Sequence, residues 1–244
     1  MKAMILAAGK GTRLQPLTNK IPKALVEIHG KPLLDIIINK LKNYGFTDII
    51  VNVHHFADKI IDYIEHKDFG INIEISDERD QLLDTGGGIL KAKWFFKDVD
   101  AFLVYNVDIL SDINLYELYK AHVNSDALVT MAVKNRQTSR QLLFDSGGYL
   151  CQWKNIETGE IKNARTPFGE LNPLAFSGIH ILDTNIFKHI TETGSFSIIH
   201  TYLRLAEKFA IKSYIHNYSK WFDMGRYQYV QEFNKDGNMK NLFN

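Results

Sequence analysis

Strand-like apolar runs alternate with helix-period segments through the first half of the chain, and that alternation restricts the fold more than any other feature. Residues 3–7, 48–53, 71–75 and 101–105 read as strands. Residues 32–44, 57–65 and 88–96 read as helices between them, and 115–123 follows the fourth strand. The first helix starts at Pro32, sets Leu33, Ile37, Ile38 and Leu41 on one face and stops at Gly45. Strands separated by helices need crossovers, which give a parallel sheet covered on both faces. From about residue 127 the pattern changes. Residues 127–134, 141–145 and 149–153 are expected strands on short links, with Ser146-Gly147-Gly148 as a hairpin turn. Another strand is expected over 175–182, helices over 185–190 and 198–208, and 211–215 with 221–222 to close the sheet. No Pro/Gly/Ser-rich linker interrupts this order, so 1–244 is expected to be a single α/β domain, with halves of about 1–125 and 126–244.

Composition excludes other classes. With 45% apolar and 23% charged residues the chain is not disordered, and it holds neither an 18-residue apolar run nor a secretory leader. A single cysteine, Cys151, forms no internal disulfide or thiolate cluster; it is read as a packing residue, and a reducing cytoplasm is the expected compartment. Charge is uneven: residues 1–43 carry eight Lys/Arg against Glu27 and Asp35, a net of +6, while the other 201 residues sum to −5. A local basic segment on a slightly acidic body fits a bound anion, not a nucleic-acid track or a membrane surface. Lys40 and Lys42 are expected on a solvated helix face.

The first strand runs into Leu6-Ala7-Ala8-Gly9-Lys10-Gly11-Thr12-Arg13-Leu14, small residues with two interleaved cations. Small residues let backbone N–H groups approach phosphate oxygens, and Lys10 and Arg13 offset the charge. The spacing is not that of a Walker A loop. A dinucleotide fingerprint also fails, since Leu14 stands at its third glycine and the second strand ends in Val53-His54-His55 instead of an acid. His54 and His55 are read as loop or packing residues. Pro16 and Pro22 bracket an irregular segment that holds Lys23 ten residues past Arg13, where its charge can reach a phosphate.

The whole pattern from Leu6 to Lys23 resembles the signature of the sugar-1-phosphate nucleotidylyltransferases. The resemblance implies a Rossmann-like three-layer sandwich with a mixed, mostly parallel sheet. It also implies that Ala7, Ala8, Gly9, Lys10, Gly11, Thr12 and Arg13 hold a nucleoside triphosphate and that Lys23 acts with Arg13 at the reacting phosphates.

Asp108 follows the apolar run 101–107, placing a carboxylate at the carboxyl end of a buried strand, where open α/β sheets bind ligands. If that strand lies beside the first, Asp108 faces the glycine-rich turn, and an acid among phosphates needs a cation between, so Mg²⁺ is expected. The family carries a second metal-binding Asp in a Trp-x-Asp-x-Gly context, which Asp223 matches. One departure is Val107, where the family commonly has Gly. Asp84-Thr85-Gly86-Gly87-Gly88 precedes the expected helix 88–96, whose Trp94-Phe95-Phe96 cluster is read as core. By resemblance Gly86 and Asn106 would face the nucleotide, and Thr85, Gly87, Glu170, Ser177 and Gly178 the sugar.

The implied reaction joins an NTP to a sugar 1-phosphate and releases pyrophosphate. The resemblance favours UTP with an N-acetylated sugar such as N-acetylmuramate 1-phosphate. GTP with mannose or heptose 1-phosphate, and a non-catalytic nucleotide-sugar sensor, remain the alternatives. A monomer or small homo-oligomer is expected. The chain shows no hexapeptide array, so no fused acyltransferase is expected.

Overall fold

A computed structural model describes residues 1–236, and the end of the expected domain, 237–244, lies outside the described residues. In chain order the strands and helices are β1 (Lys2–Leu6), β2 (Glu27–Ile28), β3 (Lys31–Pro32), α1 (Leu33–Asn43), β4 (Asp48–Val53), α2 (Ala57–Glu65), β5 (Asn72–Asp77), α3 (Asp84–Lys91), β6 (Ala101–Asn106) and β7 (Ile109–Ser111). They continue as α4 (Leu115–Val123), β8 (Val129–Lys134), β9 (Arg140–Phe144), β10 (Leu150–Asn155), β11 (Ile161–Asn163), β12 (Asn172–Asp183), α5 (Ile198–Ala206), β13 (Ile211–Ile215), β14 (Trp221–Asp223) and α6 (Tyr227–Lys235).

The central sheet runs β13-β8-β12-β6-β1-β4-β5, and of its six pairings only the two made by β12 with its neighbours are antiparallel. The start of β12 also pairs with β9, which adds the β9-β10-β11 meander. The expected mixed, mostly parallel sheet is therefore present. Period-2 side-chain alternation splits the core between its faces. Ala3, Ile5, Leu103 and Tyr105 pack under α1, α2, α4 and α6, whereas Met4, Leu6, Phe102 and Val104 pack with α3 and α5. Cys151 is fully buried, as read from the sequence.

Several expectations change. The glycines of 84–88 lie inside α3, which begins at Asp84 and not at 88, and residues 92–96 form a 3-10 helix. Phe95 and Phe96 are core, but Trp94 is exposed. The helix expected over 185–190 is a 3-10 turn, Thr184–Lys188. Residues 221–223 do not close the main sheet; they pair antiparallel with β7 as a separate ribbon. Lys40 is not solvated: its ammonium donates to the carbonyls of Ser111 and Ile113, and burial lowers its pKa to about 8.

Candidate active site

The sheet order reverses at β1, which has β4 on one side and β6 on the other, and the two carboxyl ends at that switch point frame the site. Past β1 the chain turns at Gly11, whose φ of 63° is left-handed, into a 3-10 turn over Thr12–Leu14. The Gly11 carbonyl accepts from Leu14 N–H at 2.8 Å and from Thr18 Oγ1 at 2.8 Å. A Cβ at position 11 would stand 2.9 Å from Thr18 Cγ2 and 3.2 Å from Lys23 Cβ, so the turn is folded tightly against the segment that delivers Lys23.

Lys23 Nζ lies 3.2 Å from Asp108 Oδ2, and both side chains are largely buried. Across the site Arg13 Nη1 lies 3.8 Å from Asp223 Oδ2, with the arginine more exposed. The β7–β14 ribbon sets the two acids side by side: Asp223 is in register with Ile109, and Met224 N–H donates to the Asp108 carbonyl at 2.8 Å. A Cβ built on Gly225 would stand 2.7 Å from Asp108 Oδ2, 2.7 Å from Asp223 Oδ1 and 2.9 Å from Arg13 Nη2. The two carboxylate oxygens are therefore within about 5.4 Å of each other, twice that radius. That upper bound is compatible with one divalent ion, whose two oxygen ligands at about 2.0–2.1 Å would stand no more than about 4.2 Å apart. No group of three or more His, Cys, Asp or Glu suited to a metal occurs among the described residues. Two carboxylates whose remaining coordination is left to water and phosphate is the donor set of Mg²⁺.

Val107 causes no strain in this arrangement. It is not among the positive-φ residues, its N–H donates to the Leu6 carbonyl at 3.2 Å, and its side chain joins the core below the site.

The other sequence-derived positions divide. Lys10, Thr12 and Arg13 are exposed at the turn, with Gly9 against Lys23 Nζ. Asn106 ends β6 and faces Gly178, where a Cβ would come within 2.8 Å of its Nδ2. Ala7 and Ala8 are buried, and their N–H groups are taken by Asn52. Thr85, Gly86 and Gly87 meet the 194–198 segment. Thr85 Oγ1 accepts from Ile198 N–H at 3.0 Å, Gly86 N–H donates to Phe196, and a Cβ on Gly87 would strike the Gly194 carbonyl at 2.3 Å. Ser177 is buried, with its hydroxyl 2.7 Å from His216 Nε2. Glu170 is exposed on a different cavity, beside Asp145 and Asn172, that shares no lining residue with the cleft at Asp223. His54 and His55 stay in the loop after β4.

Sequence reasoning passed over Arg136, Asn52 and Glu78. Arg136 borders a cleft of about 1010 Å³ that also contains Arg13, Trp221 and Asp223. Its guanidinium lies 4.1 Å over the Trp221 ring and donates to the Phe176 carbonyl at 2.9 Å, while Trp221 Nε1 donates to the Ser177 carbonyl at 2.9 Å. Burial lowers the Arg136 pKa, and the nearby Asp223 opposes that. The signal for Asn52 is a polar residue near the end of an otherwise apolar strand.

A glycine-rich turn at the tip of the first strand, faced by two acids at the switch point of a mostly parallel sheet, defines a Rossmann-like α/β protein. Residues 2–238 match the sequence model of the nucleotidyl transferase family, and the chain belongs to that family. It is 36% identical to the N-acetylmuramate alpha-1-phosphate uridylyltransferase of Caulobacter vibrioides, over 84% of each chain. It is 33% identical to the UTP–glucose-1-phosphate uridylyltransferase of Synechocystis, over 78% of this chain but only 51% of that protein, so it spans about half the length of that relative. A putative glucose-1-phosphate thymidylyltransferase from Bacillus anthracis shares the fold, with TM-score 0.79 and 19% identity over 99% of this chain and 96% of that one.

Proposed function

We propose that the chain is a sugar-1-phosphate nucleotidylyltransferase. The observation that carries this reading is the convergence of Asp108, Asp223, Lys23 and Arg13 at the end of the glycine-rich turn. A sugar 1-phosphate oxygen attacks the α-phosphorus of the NTP, the bond from that phosphorus to the β-phosphate oxygen breaks, and pyrophosphate leaves. The attacking group is already anionic at pH 7, so no general base is required. What the protein must do is hold two anions in line and offset the charge that accumulates.

In this reading Arg13 and the N–H groups of the Gly9–Thr12 turn hold the leaving pyrophosphate, and Lys23 bridges the attacking phosphate and the α-phosphate. Asp108 and Asp223 would hold Mg²⁺, which when bound would supply positive charge to the phosphate oxygens. Each carboxylate has a cation as its partner, Lys23 for Asp108 and Arg13 for Asp223, which orients both cations at the site. A sensor that only bound nucleotide sugars would need neither acid.

UTP with an N-acetylated sugar 1-phosphate is the favoured pair, supported by the Caulobacter relative matched over most of both chains. A mannose-1-phosphate guanyltransferase of Gibberella zeae, 39% identical over 55% of this chain and 38% of that protein, supports GTP with mannose 1-phosphate as the second reading. The test is a matrix of UTP, GTP, CTP, dTTP and ATP against sugar 1-phosphates, read by pyrophosphate release with Mg²⁺. Asp108→Asn is expected to lower turnover by about 10²–10³ with the fold intact. Near-normal turnover in that variant, or no release from any pair, would sink the proposal.

A further inference from the structure

The first two N–H groups of the glycine-rich turn are not available to a ligand. Ala7 N–H donates to Asn52 Oδ1 at 2.7 Å, and Ala8 N–H to the same oxygen at 3.4 Å. The amide's Nδ2 donates in turn to Glu78 Oε1 at 2.7 Å, and Glu78 Oε2 accepts from Leu83 N–H at 3.2 Å. A single line of hydrogen bonds thus runs from the phosphate turn, across the ends of β4 and β5, to the residue that precedes α3. Both side chains are buried, Asn52 at 3% exposure and Glu78 at 0%. Gly88 of α3 closes over them: a Cβ there would lie 2.7 Å from Glu78 Oε1 and 2.9 Å from Asn52 Nδ2.

The polarity of this relay calls for one amide and one carboxylate. Ala7, Ala8 and Leu83 are all backbone donors, so its two ends must accept, and only an amide paired with a carboxylate satisfies every link. We infer that Asn52 and Glu78 form a positioning pair for the nucleotide, fixing the Ala7–Ala8 peptides relative to the start of α3 so that one buried relay sets both the triphosphate turn and the Asp84–Gly88 wall. This rests on the proposed nucleotide site, and it adds two residues that touch neither substrate. The pair holds the turn at its NTP-binding height, so its loss is felt in NTP affinity before sugar affinity.

The relay can be transposed, and that supplies the test. Glu78→Gln sets an NH₂ against one of two donors, and Asn52→Asp sets two carboxylates side by side. In the double variant the carboxylate introduced at position 52 accepts from Ala7, Ala8 and the amide introduced at position 78, and the oxygen of that amide accepts from Leu83 N–H. Each single variant is expected to raise KM for the best NTP of the matrix about tenfold or more and to leave KM for the sugar 1-phosphate within about twofold. The double variant is expected to return to within about threefold of the parent NTP KM. Unchanged NTP KM in both single variants overturns the inference. A double variant no better than the worse single, or one in which both KM values and thermal stability move together, also overturns it. A parent chain with no pyrophosphate release and no thermal shift on adding UTP and Mg²⁺ overturns the nucleotide reading instead, and the pair with it.

Discussion

Gly11 carries two constraints at once, a left-handed backbone and contact with Thr18 and Lys23 where a methyl group would stand. Gly11→Ala is therefore expected to cost about 1–2 kcal/mol of stability and to displace Lys23, raising NTP KM while α-helix content stays constant; calorimetry and initial rates check this. Lys23→Met is expected to lose about 10²-fold or more in turnover, because no cation then bridges the attacking and α-phosphates of the proposed reaction. A third residue gives a pH signature. His122 is buried against Thr130 Oγ1, and burial lowers its pKa from 6.5 to about 4. Between those values the unfolded chain binds the proton and the folded one does not, so this contribution is complete above pH 6.5 and is lost as pH falls toward 4. Its size is on the order of 3 kcal/mol. Denaturant midpoints measured from pH 7 to 4.5 are expected to fall less steeply in His122→Asn than in the parent.

The proposed chemistry depends on the β7–β14 ribbon, which brings Asp223, 115 positions further along the chain, beside Asp108. Trp221→Phe removes the hydrogen bond to the Ser177 carbonyl and weakens the stacking of Arg136, so it is expected to raise the Mg²⁺ concentration for half-maximal rate several-fold with little change in NTP KM. Titration of rate against Mg²⁺ decides it. Sequence periodicity disclosed β1, β4 and β6 because each is buried on both faces and reads as a mostly apolar run. Asp108 could be placed for the same reason, since it follows such a run directly. The ribbon was hidden because three residues at 221–223 look the same whether they join the sheet edge or pair with β7. Helix α6 was hidden too: only Val230 and Phe233 are buried in it, too few apolar positions for a helical period to stand out. Asn52 and Glu78 escaped because a buried polar pair is defined by its partner, 26 positions away, and not by a local pattern.

Across the molecule, the cation-rich opening segment and the acid of β14 meet at one point, so the proposed ligand site draws on both ends of the described chain. Adding UTP and Mg²⁺ together is expected to raise Tm by mass action, by an amount equivalent to about 2.7 kcal/mol at a hundred times Kd, and Asp223→Asn is expected to abolish the part that needs Mg²⁺. Thermal melts with each ligand alone and with both separate the two contributions. No helix among the described residues is long and apolar enough to cross a membrane.

Strand β12 is twelve residues long and pairs in turn with β9, β8 and β6 along its length. That long strand ties the β9-β10-β11 meander to the central sheet. In the proposed reaction, shielding of the phosphates from bulk solvent is expected of the short surface loops around the cleft, such as 135–139, and rate-limiting motions should be sought there.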